Sequence, residues 1–200
     1  MRPFIGTDDL AALLGTAVSD ADLITRIALD SGCQAVRSFL DQTINRQTDI
    51  TEIVDGHDTK KFRVHERPIR NIWSVTLDGE VVDPTLYNWN HSMCRRVDDI
   101  RWPAGYANIE VNYDAGYDII PDDSTGDDLL VPADMRLVAL LAARRVYTSV
   151  GTSDGGGKTS ESIGQYSYSN GSSAATSAAE LLAPEKDVLM RYRIGLVPAR

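Results

Sequence analysis

Residues 67–79, Arg-Pro-Ile-Arg-Asn-Ile-Trp-Ser-Val-Thr-Leu-Asp-Gly, contain the clearest structural signal in this chain. The middle of the stretch alternates apolar and polar side chains, which is the period of a β-strand with one buried face. Asp78 and Gly79 then form the Asp-Gly pair that favours a two-residue hairpin turn. Val81 and Val82 follow as the return strand. The stretch therefore predicts an antiparallel β-hairpin.

Short strand-like segments continue on both sides of this hairpin. Ile109, Val111 and Tyr113 alternate with polar residues, and prolines mark the ends of several segments. Turn signals separate the segments at short intervals, as in antiparallel sheets. Together they predict an antiparallel β-insertion over residues 48–117.

Helical patterns flank the β-insertion. Residues 1–47 carry apolar side chains at helical spacing, with Thr7 and Ser19 as the expected N-caps of two helices. The Ser31-Gly32 pair lies in the middle of the second helix, where it weakens the helix or lets another element pack closely. Residues 130–151 form a further apolar-rich helix. The prediction is an α+β fold in which these segments form a helical bundle core that carries the β-domain as an insertion.

The last part of the chain has a different composition. Residues 152–178 are rich in Gly, Ser, Thr and Asn and predict a long flexible loop, because such a segment buries too little apolar surface to order itself. Residues 179–200 then predict a C-terminal helix and tail.

Charge and cysteine content restrict the function classes. The chain has 200 residues and a formal net charge of -9, and so acidic a surface argues against a general nucleic-acid binder. Cys33 and Cys94 share no metal or redox spacing, so free thiols are expected rather than a disulfide. The sequence shows neither a signal-peptide pattern nor an apolar run of membrane-spanning length. We therefore expect no membrane partner and synthesis in a cytoplasm-like compartment.

No pattern nominates a catalytic, cofactor-binding or metal-binding residue, so we expect a protein that is not an enzyme and needs no cofactor. A phosphate-binding loop requires a glycine five residues before Gly157 of Gly157-Lys158-Thr159, and that position is Thr152. The acidic run at residues 122–128 does not have the spacing of a calcium loop. The three histidines share no zinc motif and are His57, His65 and His91.

The aromatic side chains of the β-insertion have two interpretations. They form a platform for a sugar or a nucleic-acid base, or most of them anchor the small sheet, and the alternation favours anchoring. The residues concerned are Trp73, Tyr87, Trp89, Trp102 and Tyr106.

Four stretches, in this order and at this spacing, resemble the head–tail connector (adaptor) proteins of long-tailed bacteriophages: residues 67–79, 111–117, 131–136 and 162–169. The resemblance implies a structural virion protein without catalytic residues. It implies a homo-oligomeric, twelvefold ring beneath the portal that links head to tail and continues the DNA channel. DNA would pass through the lumen without sequence-specific binding. The portal protein and a downstream stopper or tail protein would be the partners, in the neck of a virion assembled in the host cytoplasm.

Two other classes are compatible with the sequence. One is another phage neck or tail protein, such as a stopper or a tail terminator, although those are mostly β. The other is a cytoplasmic enzyme or ligand-binding protein, which a deep pocket with converging polar groups would favour.

Two segments are candidate interaction surfaces. The C-terminal segment combines an apolar stripe with arginines, and its expected portal-docking residues are Val188, Leu189, Arg191, Tyr192, Arg193 and Leu196. The alternative is a helix that packs on its own domain. Ile163, Tyr166 and Tyr168 interrupt the Gly/Ser-rich loop and are expected to contact a neighbouring subunit.

Overall fold

The computed structural model describes residues 2–97, 99–119, 129–151, 160–163, 166–169 and 178–193. The helices in these ranges are α1 (Thr7–Leu14), α2 (Leu23–Leu40), α3 (Ala133–Gly151) and α4 (Ala183–Leu189). The strands are β1 (Gln47–Gly56), β2 (Lys61–Phe62), β3 (Ile69–Leu77), β4 (Glu80–Val81), β5 (Tyr87–Asn90), β6 (Met93–Arg96), β7 (Gly105–Ala115), β8 (Ser160–Ile163) and β9 (Tyr166–Ser169). The chain divides into two compact units. The helical unit comprises Met1–Asp41 and Pro132–Arg200, and the β-unit comprises Gln42–Val131.

The starts of the first two helices differ from those expected. Asp22 is the N-cap of α2, because its carboxylate accepts two backbone N–H groups of the first turn at 3.3 and 3.2 Å. Gly6 is the N-cap of α1. The expected N-caps Thr7 and Ser19 are wrong, since Thr7 is already helical and Ser19 precedes the true cap of α2.

Helices α2 and α3 pack closely together at Gly32. A Cβ atom at this position would overlap the carbonyl oxygen of Ala139 and lie 2.9 Å from the Cβ of Ala143. A larger side chain would therefore force the two helices apart. The expectation that Gly32 permits close packing is confirmed.

The expected helical bundle core is wrong. In the described part of the chain only α2 and α3 are long, with 18 and 19 residues, whereas α1 and α4 have 8 and 7. Helices of about two turns cannot supply the long parallel faces that a four-helix bundle packs around its core. The fold is instead mixed: a packed pair of long helices with two short ones, and antiparallel sheets with their own core.

The β-unit contains two antiparallel sheets, with strand orders β1-β7-β3-β4 and β2-β6-β5. Strands β3 and β4 form the hairpin predicted around Asp78 and Gly79. Their φ angles of 52° and 84° are left-handed at both turn positions, as a tight two-residue hairpin turn requires. Strand β7 pairs with both β1 and β3 and is thus central to the larger sheet.

Side chains from both sheets form the core of the β-unit. Trp102 is fully buried, and its ring lies edge-on to that of Phe62 with centroids 5.0 Å apart. The guanidinium of Arg96 lies 5.1 Å from the Trp102 ring centroid. Further core residues are Val64, Ile69, Ile72, Val75, Val82, Tyr87, Cys94, Ile109, Val111, Tyr113 and Ala115. The β-unit therefore buries an apolar cluster of its own.

Strand β7 ends at a position that only glycine fits. Gly116 has a φ of 96°, and a Cβ atom there would overlap the carbonyl oxygen of Asn45. The next residue, Tyr117, donates its N–H to the oxygen of Ile44 at 2.7 Å. The glycine thus lets the end of β7 lie directly against the chain that leads into β1.

Candidate functional surfaces

The C-terminal segment packs on its own helical unit. Leu189 is fully buried, and Val188 and Tyr192 are partly buried. The Tyr192 hydroxyl donates to the carboxylate of Asp134, with O···O distances of 2.8 and 2.9 Å. Most of the apolar stripe expected to dock on a portal therefore contributes to packing within the subunit.

A largely buried ion pair joins α4 to α3. Nη1 and Nη2 of Arg145 lie 2.6 and 2.9 Å from the two carboxylate oxygens of Glu185, whose side chain is 8% exposed. Glu185 also accepts the backbone N–H of Leu182 at 2.8 Å. Arg145 donates further to the carbonyl oxygens of Ala178 and Glu180. Such a bidentate, multiply bonded pair fixes the position of α4.

Two arginines of the C-terminal segment are exposed. Arg191 lies 3.4 Å from Asp134, with 64% of its side chain exposed. The guanidinium of Arg193 lies 5.3 Å from the ring centroid of Phe39 on α2. Leu196 lies outside the described residues. Of the expected docking residues, Arg191 and Arg193 thus remain at the surface.

An open groove of about 670 Å³ runs along α2 in the helical unit. Its lining includes Ser31, Gln34, Ala35, Ser38, Phe39 and Leu181. Two of its charged lining residues form an ion pair, since Nζ of Lys186 lies 3.6 Å from the carboxylate of Glu180. A shallow groove of mixed polarity suits a protein segment better than a reaction that needs converging polar groups.

The expected subunit-contact residues lie in a separate two-stranded sheet formed by β8 and β9. Position 163 pairs with position 166, and position 161 with position 168. Positions 163 and 166 are therefore directly opposite each other on the two strands, and position 168 lies two residues further along β9, with Ser167 between the two tyrosines. The backbone register brings the three residues together on one hairpin.

Comparison with models of known protein families finds no match, and no curated protein sequence is significantly similar to this chain. None of the helices that the structure describes is long and apolar enough to cross a membrane.

Those of the other sequence motifs that lie in the described residues do not converge on a reaction centre. His57, His65 and His91 are exposed, and no group of three or more metal-ligating side chains occurs among the described residues. Cys33 and Cys94 are free and buried, as expected. Gly157-Lys158-Thr159 and the acidic run at 122–128 lie outside the described residues.

The aromatic residues divide between the two interpretations. Tyr87 and Trp102 are buried and anchor the core of the β-unit. Trp73 is 61% exposed, but its indole Nε1–H donates to the buried carboxylate of Asp114 at 2.9 Å, which ties it to the sheet. Trp89 and Tyr106 are 39% and 91% exposed. Three of the five therefore contribute to the structure of the β-unit, two by burial and one by a hydrogen bond, as the alternation favoured.

The exposed side of the β2-β6-β5 sheet carries a charged surface that the sequence patterns alone do not predict. Lys61 pairs in register with Arg95, and Arg95 with Asn88, so three polar side chains form a row across the sheet. All three are exposed. The sequence signals were the basic clusters at residues 60–63 and 95–96, which only the β2–β6 pairing brings together.

Proposed function

We propose that this chain is a structural subunit of the bacteriophage head–tail connector and assembles into a homo-oligomeric ring between the portal and the tail. The observation that carries the proposal is the pairing of β3 with β7. These strands contain most of two of the stretches that resemble connector proteins, residues 67–79 and 111–117. Motifs that are separate in sequence are thus neighbouring strands of one sheet, which supports treating them as one structural signature.

The β8–β9 hairpin supports a role in ring assembly. A hairpin of two strands is marginally stable in water unless it packs against further structure. Ile163, Tyr166 and Tyr168 are large residues of the kinds that anchor interfaces, and the sequence places them in an otherwise Gly/Ser-rich segment. We assign this hairpin to the contact with a neighbouring subunit.

The portal-facing surface in this proposal is the exposed basic end of the C-terminal segment together with the groove beside it. Phe39 belongs to both, because it lines the groove and lies under Arg193. Leu189 does not belong to it, because its side chain is fully buried in the subunit. Arg191 and Arg193 are therefore the residues to change in a docking experiment.

The test is assembly of the full chain with the portal protein encoded in the same genome. Sedimentation velocity and electron microscopy should show a closed ring, of twelvefold symmetry according to the resemblance, that co-sediments with portal rings. The double variant Arg191→Glu/Arg193→Glu should form rings that no longer bind the portal. Replacing exposed Arg26 on α2 by Glu should leave portal binding intact.

A chain that stays monomeric at every concentration, with or without portal rings, would contradict the proposal. So would rings that bind only a tail-tube protein, since that behaviour belongs to a tail terminator.

A further inference from the structure

The groove of about 670 Å³ in the helical unit has the character of a peptide-binding surface. One wall is formed by residues 30–39 of α2, and the other by residues 179–181 together with Lys186. Ala35 and Phe39 contribute apolar surface that is partly exposed. Clefts of about 300–1,000 Å³ hold ligands through such apolar patches and a few polar groups. The polar groups beside the patch are Ser31, Gln34 and Ser38.

Residues 194–200, Ile-Gly-Leu-Val-Pro-Ala-Arg, begin at one end of this groove. The guanidinium of Arg193 lies 5.3 Å from the ring centroid of Phe39, which lines the groove and is the second-last residue of α2. Residue 194 therefore follows directly on a contact at the groove. Attachment so close to a site gives a segment an effective concentration on the order of millimolar, which a separate partner has to overcome.

The segment is long enough to follow the whole groove. Phe39 and Asp30 are nine residues apart on α2, which corresponds to about 14 Å along the helix axis. The seven residues 194–200 span about 23–25 Å when extended. Residues 194–200 can therefore reach Asp30 with length to spare.

The composition of the segment matches the groove from end to end. Its large aliphatic side chains come first along the chain, where Ala35 and Phe39 offer apolar surface, and they belong to Ile194, Leu196 and Val197. Its cation, Arg200, comes last. The carboxylate of Asp30 at the far end of the groove is exposed and takes part in no salt bridge among the described residues. Apolar surface and charge thus occur in the same order in the segment and in the groove.

A second segment also adjoins the groove, because residues 170–177 lead toward the wall at 179–181. Their sequence is Asn-Gly-Ser-Ser-Ala-Ala-Thr-Ser, and it contains no apolar side chain larger than alanine. Such a segment buries little apolar surface on Ala35 and Phe39, and burial is what drives an apolar contact. Residues 194–200 are the better occupant.

We infer that residues 194–200 bind in the groove of their own subunit, with Leu196 on the surface of Ala35 and Phe39 and with Arg200 beside Asp30. This binding regulates the portal-facing surface, and that consequence rests on the proposed function. The groove belongs to the proposed docking surface, so the segment covers part of this surface until the portal displaces it.

The experiment is disulfide trapping in the full chain. Ala199→Cys/Ser31→Cys should form an intramolecular disulfide on mild oxidation, which mass spectrometry of the monomer fraction identifies. The native Cys33 and Cys94 are buried and do not compete.

The matched control is Ala199→Cys/Ile27→Cys. Ile27 is exposed on α2 and is not one of the residues that line the groove. It lies twelve residues before Phe39, about 18 Å along the helix, and residues 194–199 span about 20–22 Å, so the thiol is within reach. Its disulfide should form at least about tenfold more slowly than the one at Ser31, because reach alone gives no preferred position.

Two sets of variants in the Ala199→Cys/Ser31→Cys background test the individual contacts. Leu196→Asp should slow disulfide formation about tenfold or more, because a carboxylate does not bind to apolar surface. Asp30→Arg should slow it about two- to fivefold, the size of an exposed ion-pair effect, and the exchange Asp30→Arg/Arg200→Asp should restore the rate. Circular dichroism verifies that each variant is folded.

Equal disulfide rates at Ser31 and Ile27 overturn the inference. A disulfide at Ser31 that appears only in dimers also overturns it, because the segment then binds to a second copy. If Leu196→Asp leaves the disulfide rate unchanged and weakens portal binding, the segment binds the portal and the inference is overturned. Tighter portal binding by Leu196→Asp supports it.

The connector proposal and this inference fail separately. A fast disulfide at Ser31 in a chain that neither forms rings nor binds the portal supports the groove inference and contradicts the connector proposal. Portal binding with equal disulfide rates at Ser31 and Ile27 supports the connector proposal and overturns the groove inference.

Discussion

Trp73 and Asp114 are joined across β3 and β7 by a hydrogen bond in which the indole Nε1–H donates to Oδ1 over 2.9 Å. The same oxygen accepts the backbone N–H of Asp49 from β1, also at 2.9 Å. Both donors lie where the register of their strand shifts against β7. One buried carboxylate oxygen thus holds an irregularity in each of the two neighbouring strands.

Replacing Asp114 by alanine should destabilise the β-unit. The change leaves the Asp49 N–H and the Trp73 indole without their acceptor, and we expect a loss of about 2 kcal/mol in the free energy of unfolding. Asp114→Asn retains an oxygen and should cost less than half as much. All three tryptophans of the chain lie in the β-unit, so urea titration followed by tryptophan fluorescence reports this unit.

The matched control is Glu110→Ala, an exposed acid on the same strand, which should change stability by no more than about 0.5 kcal/mol. Equal effects of Asp114→Ala and Glu110→Ala would show that the shared acceptor contributes nothing.

Replacing Gly32 by alanine should destabilise the helical unit. In an exposed helix this substitution stabilises by up to about 1 kcal/mol, because alanine is the better helix former. Here the added Cβ would overlap α3 at Ala139, so we expect a net loss of about 1–3 kcal/mol. Far-ultraviolet circular dichroism during urea titration measures it. Ser31→Ala, one residue earlier, should be neutral or stabilising, and similar losses in both variants would contradict the packing argument.

The predictable part of this fold is local. The turn at Asp78 and Gly79 follows from two adjacent residues, and the close approach at Gly32 follows from one glycine in a helical pattern. The pairing of β1 with β7 joins segments far apart in sequence, and the sequence of neither strand predicts which strand it pairs with. The expected bundle is wrong because helical spacing does not reveal how long a helix becomes, and α1 and α4 end after about two turns.

The candidate surfaces were predictable only by composition. Arginines near the C-terminus mark a surface segment, but the burial of Leu189 depends on where α4 packs. Lys61 and Arg95 become neighbours through strand pairing alone. Asp114 is one of 29 acidic residues, and no sequence pattern separates it from the exposed ones.

Removing either partner of the Arg145–Glu185 pair should destabilise the helical unit strongly. Arg145→Ala leaves a buried carboxylate without its cation, and Glu185→Ala leaves the cation without its anion. We expect each variant to lose about 3 kcal/mol in the free energy of unfolding. The double variant Arg145→Met/Glu185→Leu should be more stable than either single variant. A double-mutant cycle, measured by urea titration with circular dichroism, provides the coupling energy.

The control pair is Lys186 and Glu180, which are 3.6 Å apart with side chains 40% and 60% exposed. Their coupling should not exceed about 0.5 kcal/mol. A deletion of the chain after residue 184 removes both Glu185 and Leu189, so we expect it to impair folding of the helical unit. Single surface substitutions are therefore the valid test of portal docking.

Two buried acids of high pKa make the β-unit sensitive to alkaline pH. Burial raises the pKa of the Cys94 thiol to about 12. Burial also raises the pKa of Tyr113, and the carboxylate of Glu52, which accepts the tyrosine O–H at 2.6 Å, raises it further. Both groups are held neutral in the folded chain and ionise more readily once it unfolds.

We expect the stability of the β-unit to fall as pH rises above about 9. Above this pH the two groups ionise in the unfolded chain but stay neutral in the folded one, and this favours the unfolded state. Below the ordinary pKa values of 9.0 and 10.0 the contribution is complete, and it decreases as pH rises toward the folded-state values.

Tyr113→Phe should lose about 1 kcal/mol at neutral pH with the hydrogen bond to Glu52, yet show a shallower alkaline decline. Cys94→Ala should also flatten the decline, whereas Cys33→Ala, in the helical unit, should leave it unchanged. The measurement is the urea midpoint from tryptophan fluorescence between about pH 7 and 11. Identical alkaline slopes for wild type, Tyr113→Phe and Cys94→Ala would refute the linkage.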